Sequence, residues 1–304
     1  MLTSVVYEAV RLLRLPALLR RWTEGAVILC YHNVIPPEAL AGRDAALHME
    51  RDVFERQLAW LRRHFDLVSL EVLLDRLRSG VSLRGLMCLT FDDGYVGFFR
   101  WALPALRAQK VPAAVFLVAD AADRPAAFWW DQPALAARAT DERRARWLAE
   151  CQGDGGRIAL MEGVPADSVA PSDLMPASWE MIRSHAAPDL TFGAHTSSHR
   201  ALPTLDASDL ANELDDCARR IGIQTGTRPR ALAYPYGAWN PAVRDAARAA
   251  GYEVGLTLNA GRVRARDRDE LALRRINVPG RISPAAFEAW ASGLLLPALR
   301  GRGR

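Results

Sequence analysis

At 304 residues, 50% hydrophobic and 24% charged, the chain has a globular composition with room for a sizeable core. Its net charge of +4 rests almost wholly on arginine, Lys110 being the only lysine, and no arginine run is interleaved with aromatics, which sets nucleic-acid binding aside. Cys30, Cys88, Cys151 and Cys217 are widely spaced without a CxxC pair, which excludes a zinc ribbon and favours a reducing compartment.

Taken in order, Met1–Trp22 reads as a basic amphipathic helix interrupted at Pro16, with Arg11, Arg14, Arg20 and Arg21 among its apolar residues. Such an arm either touches a membrane surface or packs on its own domain. The arginines follow or interrupt the apolar residues, and no small-residue cleavage site stands out, so no signal peptide is expected. No apolar run is long enough to span a bilayer. The expected location is the cytoplasm, with peripheral contact at the cytoplasmic face of a bacterial inner membrane through residues 1–22.

From residue 26 the chain alternates apolar strands with helices. Strands are expected at Ala26–Tyr31, Leu67–Val68, Gly85–Phe91, Ala113–Ala119, Leu190–His195, Ala231–Tyr234, Glu253–Leu258 and Leu273–Val278. Helices are expected at Glu50–His64, Leu70–Ser79, Phe98–Gln109, Pro176–His185 and Asp206–Ile221, and between Asn240 and Gly251. A last helix follows the Ser283-Pro284 cap. Continuous apolar strands between helices signal a parallel sheet covered on both faces, or a (β/α) barrel. Asp120–Met175 breaks the rhythm with a Phe128-Trp129-Trp130-Asp131 cluster, one helical stretch over Pro133–Glu150 and a Gly/Asp/Pro-rich remainder. It reads as an insertion or lid at 120–175 with an aromatic mini-core, inside a single domain over 26–300 that follows the N-terminal arm (1–25).

Four strand ends carry unusual residues: His32; Asp92 and Asp93; His195 with His199; and Tyr234-Pro235-Tyr236-Gly237. Parallel α/β folds place their chemistry at the carboxyl ends of strands. Alone, Asp92-Asp93-Gly94 would be a simple turn. The His195-Thr-Ser-Ser-His199 spacing sets two imidazoles one helical turn apart, within reach of one metal ion. Together with an aspartate they would leave coordination positions open, as hydrolytic sites require.

Thr90-Phe-Asp-Asp-Gly94, His195-Thr-Ser-Ser-His199 and Tyr234-Pro-Tyr-Gly237 resemble the first three motifs of the NodB-homology polysaccharide deacetylases, carbohydrate esterase family 4. The resemblance spans about Ala26 to Val278. It implies a distorted (β/α) barrel of about seven strands and removal of acetyl groups from glycans with one bound divalent metal, zinc first, with cobalt, nickel or manganese as alternatives. Carried over, Asp93, His195 and His199 are the metal ligands, Asp92 is the general base, and Tyr236, beside Pro235, lends its backbone N–H to the oxyanion.

Two departures stand out. The arginine that precedes the prolines of the third motif in that family is replaced by Ala233, and no histidine follows His199 to serve as the late general acid. Tyr31-His32-Asn33-Val34 is similar to the Tyr-His element of the family's poly-N-acetylglucosamine deacetylases, which makes His32 the candidate acid. Arg275 is a weak candidate for the missing arginine, and a solvent-facing use is expected of both Arg274 and Arg275. His48, His64 and His185 are expected to be ordinary surface or helix histidines. The expected function is N-deacetylation of an amino sugar in a glycan or lipid-linked saccharide. The alternatives are an amide hydrolase acting on a small formamide or cyclic amide, and a non-catalytic glycan-binding relative.

Overall fold

A computed structural model describes residues 2–40, 44, 46–165, 170–267 and 269–294, the side chains of 2–4 excepted. Ten strands are described: β1 (Val27–Tyr31), β2 (Asn33–Ile35), β3 (His48–Glu50), β4 (Asp66–Leu67), β5 (Leu86–Phe91), β6 (Ala113–Leu117), β7 (Leu190–Ala194), β8 (Ala231–Ala233), β9 (Val254–Leu256) and β10 (Ile276–Asn277). Seven form one parallel path in the order β10-β1-β5-β6-β7-β8-β9. β4 pairs with the first residues of β5, and β6 takes over the same strand near its end. β2 and β3 pair separately. The sheet curls until its edges meet through Leu273, whose N–H donates to Gly255 O and whose carbonyl accepts from Thr257 N, both at 2.9 Å. The expected seven-stranded distorted barrel is the fold observed.

The pleat of the strands explains both faces. Val27, Leu29 and Tyr31 of β1, Met87, Leu89 and Phe91 of β5, and Val115 and Leu117 of β6 pack outward under the helices Arg51–His64 and Leu103–Ala108. The alternate residues Ile28, Cys88, Ala114, Phe116, Ala233 and Leu256 fill the barrel, joined by the buried leucines of the helix Leu70–Arg78. Gly193 makes room for one of these: a Cβ there would lie 2.4 Å from the Phe116 ring. The parity of β5 therefore predestines Thr90, and after it Asp92, to the barrel interior.

Several boundaries differ from expectation for local reasons. The N-terminal helix breaks at Arg14, in a left-handed conformation, not at Pro16, which lies in the first turn of the second helix, Leu15–Trp22. The stretch Phe98–Ala102 forms a π-helical turn before the α-helix begins. The last strand shrinks to Ile276–Asn277 plus the Leu273 bridge. Within the insertion, Pro133–Glu150 is two helices, Pro133–Ala136 and Asp141–Glu150, because Thr140 caps the second by accepting from Arg143 N. The Gly/Asp-rich remainder holds a further helix, Gly155–Glu162, capped by Asp154. Trp129, Trp130, Leu135, Trp147, Cys151, Ile158 and Ala159 form the insertion's own core, as expected of the aromatic cluster.

Candidate metal centre and active site

β5 ends at Phe91, and Asp92 N still donates to Tyr31 O at 2.9 Å. Asp93 and Gly94 then adopt left-handed conformations, with φ of 72° and 65°. A Cβ on Gly94 would lie 2.8 Å from Leu117 Cδ2, so both strain and space require glycine there. The turn sends Asp93 away from the direction that the pleat would give it, towards the end of β7.

There the two histidines arrive on a loop, not on the helical turn their spacing suggested. Thr196 and His199 have φ of 66° and 61°, and Thr196 Oγ1 accepts from His199 N at 3.1 Å. The buried Glu213, on the helix Ala207–Thr225, holds the loop by accepting from Ser198 N at 2.9 Å and from the Ser198 hydroxyl. His195 Nδ1 donates to Ala233 O at 2.7 Å, which fixes the tautomer and leaves Nε2 as a free donor atom. His195 Nε2 and His199 Nε2 lie 3.4 and 3.3 Å from Asp93 Oδ1. That oxygen is buried without a hydrogen-bond donor. Tetrahedral ligands at the roughly 2.0–2.2 Å bond lengths of zinc would be about 3.4 Å apart. The donor types, their spacing and the orphaned oxygen fit a divalent cation on Asp93, His195 and His199.

Asp92 stands in a different environment. Both carboxylate oxygens accept from Arg275, Oδ1 from Nη1 and Oδ2 from Nη2, each at 2.7 Å, and Cys30 Sγ lies 3.3 Å from Oδ2. Arg275 also donates to Thr90 Oγ1 and Thr257 O at 3.2 Å. It is fully buried inside the barrel, 5.7 Å from the Phe116 ring centroid. The expectation of a solvent-facing Arg275 is therefore wrong. Arg275, two residues past the closing bridge at Leu273, turns inward and pairs with Asp92 from a different strand than Ala233. Cys30, buried beside it, contacts Asp92 as well.

The electrostatics separate the two carboxylates. Burial opposes charge on Asp92, but the Arg275 guanidinium, His195 and His32 outweigh it and hold the carboxyl down to about 2. Burial is likewise outweighed at Asp93, which its two imidazole neighbours keep well below the carboxylate range. His199 is lowered by burial, whereas His195 is raised because Asp92 and Asp93 overcome the same effect. His32 sits beside Asp92 and Cys30, their polar atoms within 4.8 Å of one another. Its Nδ1 is buried without a partner, and burial lowers its pKa despite both carboxylates.

Aromatic residues wall the site. Pro235–Gly237 makes a tight turn with Tyr236 at φ 58°, and its ring lies 4.7 Å from that of His199. The Trp130 ring lies 4.8 Å from that of His199 on the insertion side, tilted by 58°. A cavity of about 620 Å³ runs from His199 between Phe128–Trp130 and Gly153–Gly156. Trp130 Nε1 donates to the Tyr95 hydroxyl at 2.7 Å, which donates to Asp131 Oδ2 at 2.6 Å; the other oxygen of Asp131 pairs with His48 Nε2 at 2.7 Å. His48 is thus no surface histidine. It is fully buried in β3 and anchors the insertion to the barrel. His64 is exposed and stacks on Trp60, and His185 is part-buried at a helix end, as expected. Nothing in its own sequence neighbourhood marks His48, whose partner lies 83 residues away.

A model of the family described as polysaccharide deacetylase matches residues 82–255, more than half of the chain. The chain belongs to the polysaccharide deacetylase family. Among its polysaccharide deacetylase relatives, the chain is 21% identical over 269 residues to Bacillus subtilis YxkH, assigned by name to these deacetylases, covering 88% of this chain and 76% of the relative. A 104-residue stretch is 33% identical to the poly-beta-1,6-N-acetyl-D-glucosamine N-deacetylase of Escherichia coli K12, covering 34% of this chain and only 15% of that protein. Two solved structures share the fold: the Streptococcus pyogenes deacetylase PplD in complex with acetate (TM-score 0.61, 21% identity, 86% of this chain and 95% of that one) and IcaB from Ammonifex degensii (TM-score 0.61, 22% identity, 89% and 98%).

Proposed function

We propose that the protein is a metal-dependent hydrolase that removes N-acetyl groups from amino sugars of a glycan. The observation that carries this reading is Asp92, kept ionised by a bidentate arginine beside a three-donor metal set. A divalent cation on Asp93, His195 and His199, zinc by preference, would supply a polarised acetyl carbonyl and an acidified water. Asp92 takes the proton of the attacking water, and Arg275 keeps the carboxylate oriented for it. His32 returns a proton to the departing amine. Its lone buried nitrogen and its place beside Asp92 support that role, and the imidazole is recharged by the proton that Asp92 took from the water.

The cavity of about 620 Å³ beside His199 has room for a sugar ring, which supports a saccharide over a small formamide or cyclic amide. The non-catalytic alternative drew its support partly from the arginine absent at position 233, and Arg275 removes that ground.

The test is acetate release from N-acetylhexosamine oligomers, with metal content measured in parallel. Wild type should release acetate, chelator should stop it, and Asp92→Asn should lower turnover by roughly 10²–10⁴-fold with metal retained. His32→Ala should cost roughly 10²-fold on the same criterion. Undiminished turnover in His32→Ala would remove that residue from the mechanism. A metal-loaded wild type that releases no acetate from any oligomer would favour glycan binding without catalysis.

A further inference from the structure

The N-terminal helices, Leu2–Leu12 and Leu15–Trp22, are fastened to the domain on one side only. Tyr7 and Val10 are buried in a cluster with Ala285, Ala286 and Ala289, and Trp290 Nε1 donates to the Tyr7 hydroxyl at 2.7 Å. Arg20 also turns inward, 5.1 Å from the Trp60 ring centroid and donating to Ser292 Oγ at 3.0 Å. Much of the described remainder is exposed. Val5 is 68% exposed, Leu12 79%, Leu13 68%, Leu18 50% and Trp22 71%. Of the twelve large apolar side chains exposed among the described residues, seven lie between Val5 and Trp22, so this is a patch and not a scatter. Within it, Leu15, Leu18, Leu19, Trp22 and Leu294 line a groove of about 300 Å³.

Arginine outnumbers acid around the patch. Arg14 and Arg21 are exposed and have no carboxylate partner among the described residues. The nearby acids are already engaged, Glu8 by Arg11 at 2.8 Å and Glu24 by Arg84. We infer that this face docks on an anionic lipid bilayer, with Leu12, Leu13, Leu18 and Trp22 entering the headgroup boundary and Arg14 and Arg21 meeting phosphates. A second copy of the chain would oppose like charges across the same patch. No helix among the described residues is long and apolar enough to cross a membrane, so the pair lies in the interface.

Co-sedimentation of the full chain with phosphatidylglycerol-containing and pure phosphatidylcholine vesicles tests this. Binding is expected to the anionic vesicles and to weaken with salt. Arg14→Ser/Arg21→Ser should weaken it about 25-fold, each arginine being worth roughly fivefold at an anionic surface. Leu12→Ser/Leu13→Ser/Trp22→Ser should weaken it on the order of 100-fold. Release of acetate from a soluble oligomer should be unchanged in both variants, which shows that they are folded and keeps the outcome independent of the proposed reaction. Failure to bind anionic vesicles, or binding that the triple variant leaves intact, overturns the inference. So does a wild-type dimer that the triple variant dissociates while neither form binds vesicles.

Discussion

Asp92 and Asp93 are consecutive in the chain, yet they belong to two halves of the site built in opposite ways. The metal half is made by two short motifs: Asp93 comes from one loop and His195 and His199 from another, each bent by left-handed residues, and Asp93 Oδ1 is left bare between two imidazoles. The base half is long-range: Asp92 continues the interior face of β5 and meets Arg275, 183 residues away, with no lone partner left over in the pair. A buried acid without a donor is costly, whereas a buried acid with a bidentate arginine is satisfied. On the proposed reading, the contrast separates the carboxylate placed for a metal from the one already paired with a guanidinium.

The largest effect should come from the metal half. Asp93→Ala or His199→Ala removes one of three donors and should abolish stoichiometric metal binding. Acetate release should fall on the order of 10³-fold or more, since a cation of this kind supplies several kcal/mol to the transition state. Chelated wild type should behave alike and recover on addition of zinc. Metal retained at full occupancy by either variant would erase the distinction between the halves.

The base half should break differently. Arg275→Met leaves Asp92 buried without its partner, so its carboxyl pKa should rise from about 2, burial being the largest influence on it. The acid limb of the activity profile should then move to higher pH while metal content is unchanged. Folding should lose about 3–5 kcal/mol near neutral pH. Because the folded-state pKa of Asp92 is depressed, this contribution is present above about pH 4, near its ordinary value of 3.8, and is lost as pH falls through 2. The stability gap between variant and wild type should narrow across that window. An unmoved acid limb would mean that Arg275 is structural ballast.

That asymmetry also governed what could be read from the chain. The barrel strands were legible because both faces are buried and the apolar runs are unbroken. The metal set was legible because its residues sit in two compact motifs. Arg275 was not, since one arginine in Leu273-Arg-Arg-Ile looks the same facing water or facing Asp92. Only the barrel's closure at Leu273 decides its direction. His48 was opaque for a related reason: its worth lies in Asp131 and Tyr95, brought together by the docking of the insertion. The helical reading of His195–His199 failed because Thr196 caps its own loop, a choice that four-residue spacing does not reveal.

The smallest expected effect tests whether the insertion belongs to either half. Gln152 and Gly153 turn through φ of 59° and 75°, and Gln152 O accepts from Ala201 N at 2.7 Å, just beyond the histidine loop. Gly153 lies against Tyr236: a Cβ would come within 2.7 Å of its hydroxyl, which already accepts from Trp129 Nε1 at 3.2 Å. Gly153→Ala should cost about 1–2 kcal/mol of stability through the left-handed backbone and the displaced ring. Tyr236 would shift relative to His199, and kcat/KM should fall roughly tenfold, with KM carrying most of the change. Metal content and the acid limb should both stay as in wild type. If either moves, the insertion is coupled to the metal or to Asp92, and the site has two halves only in the absence of its cover.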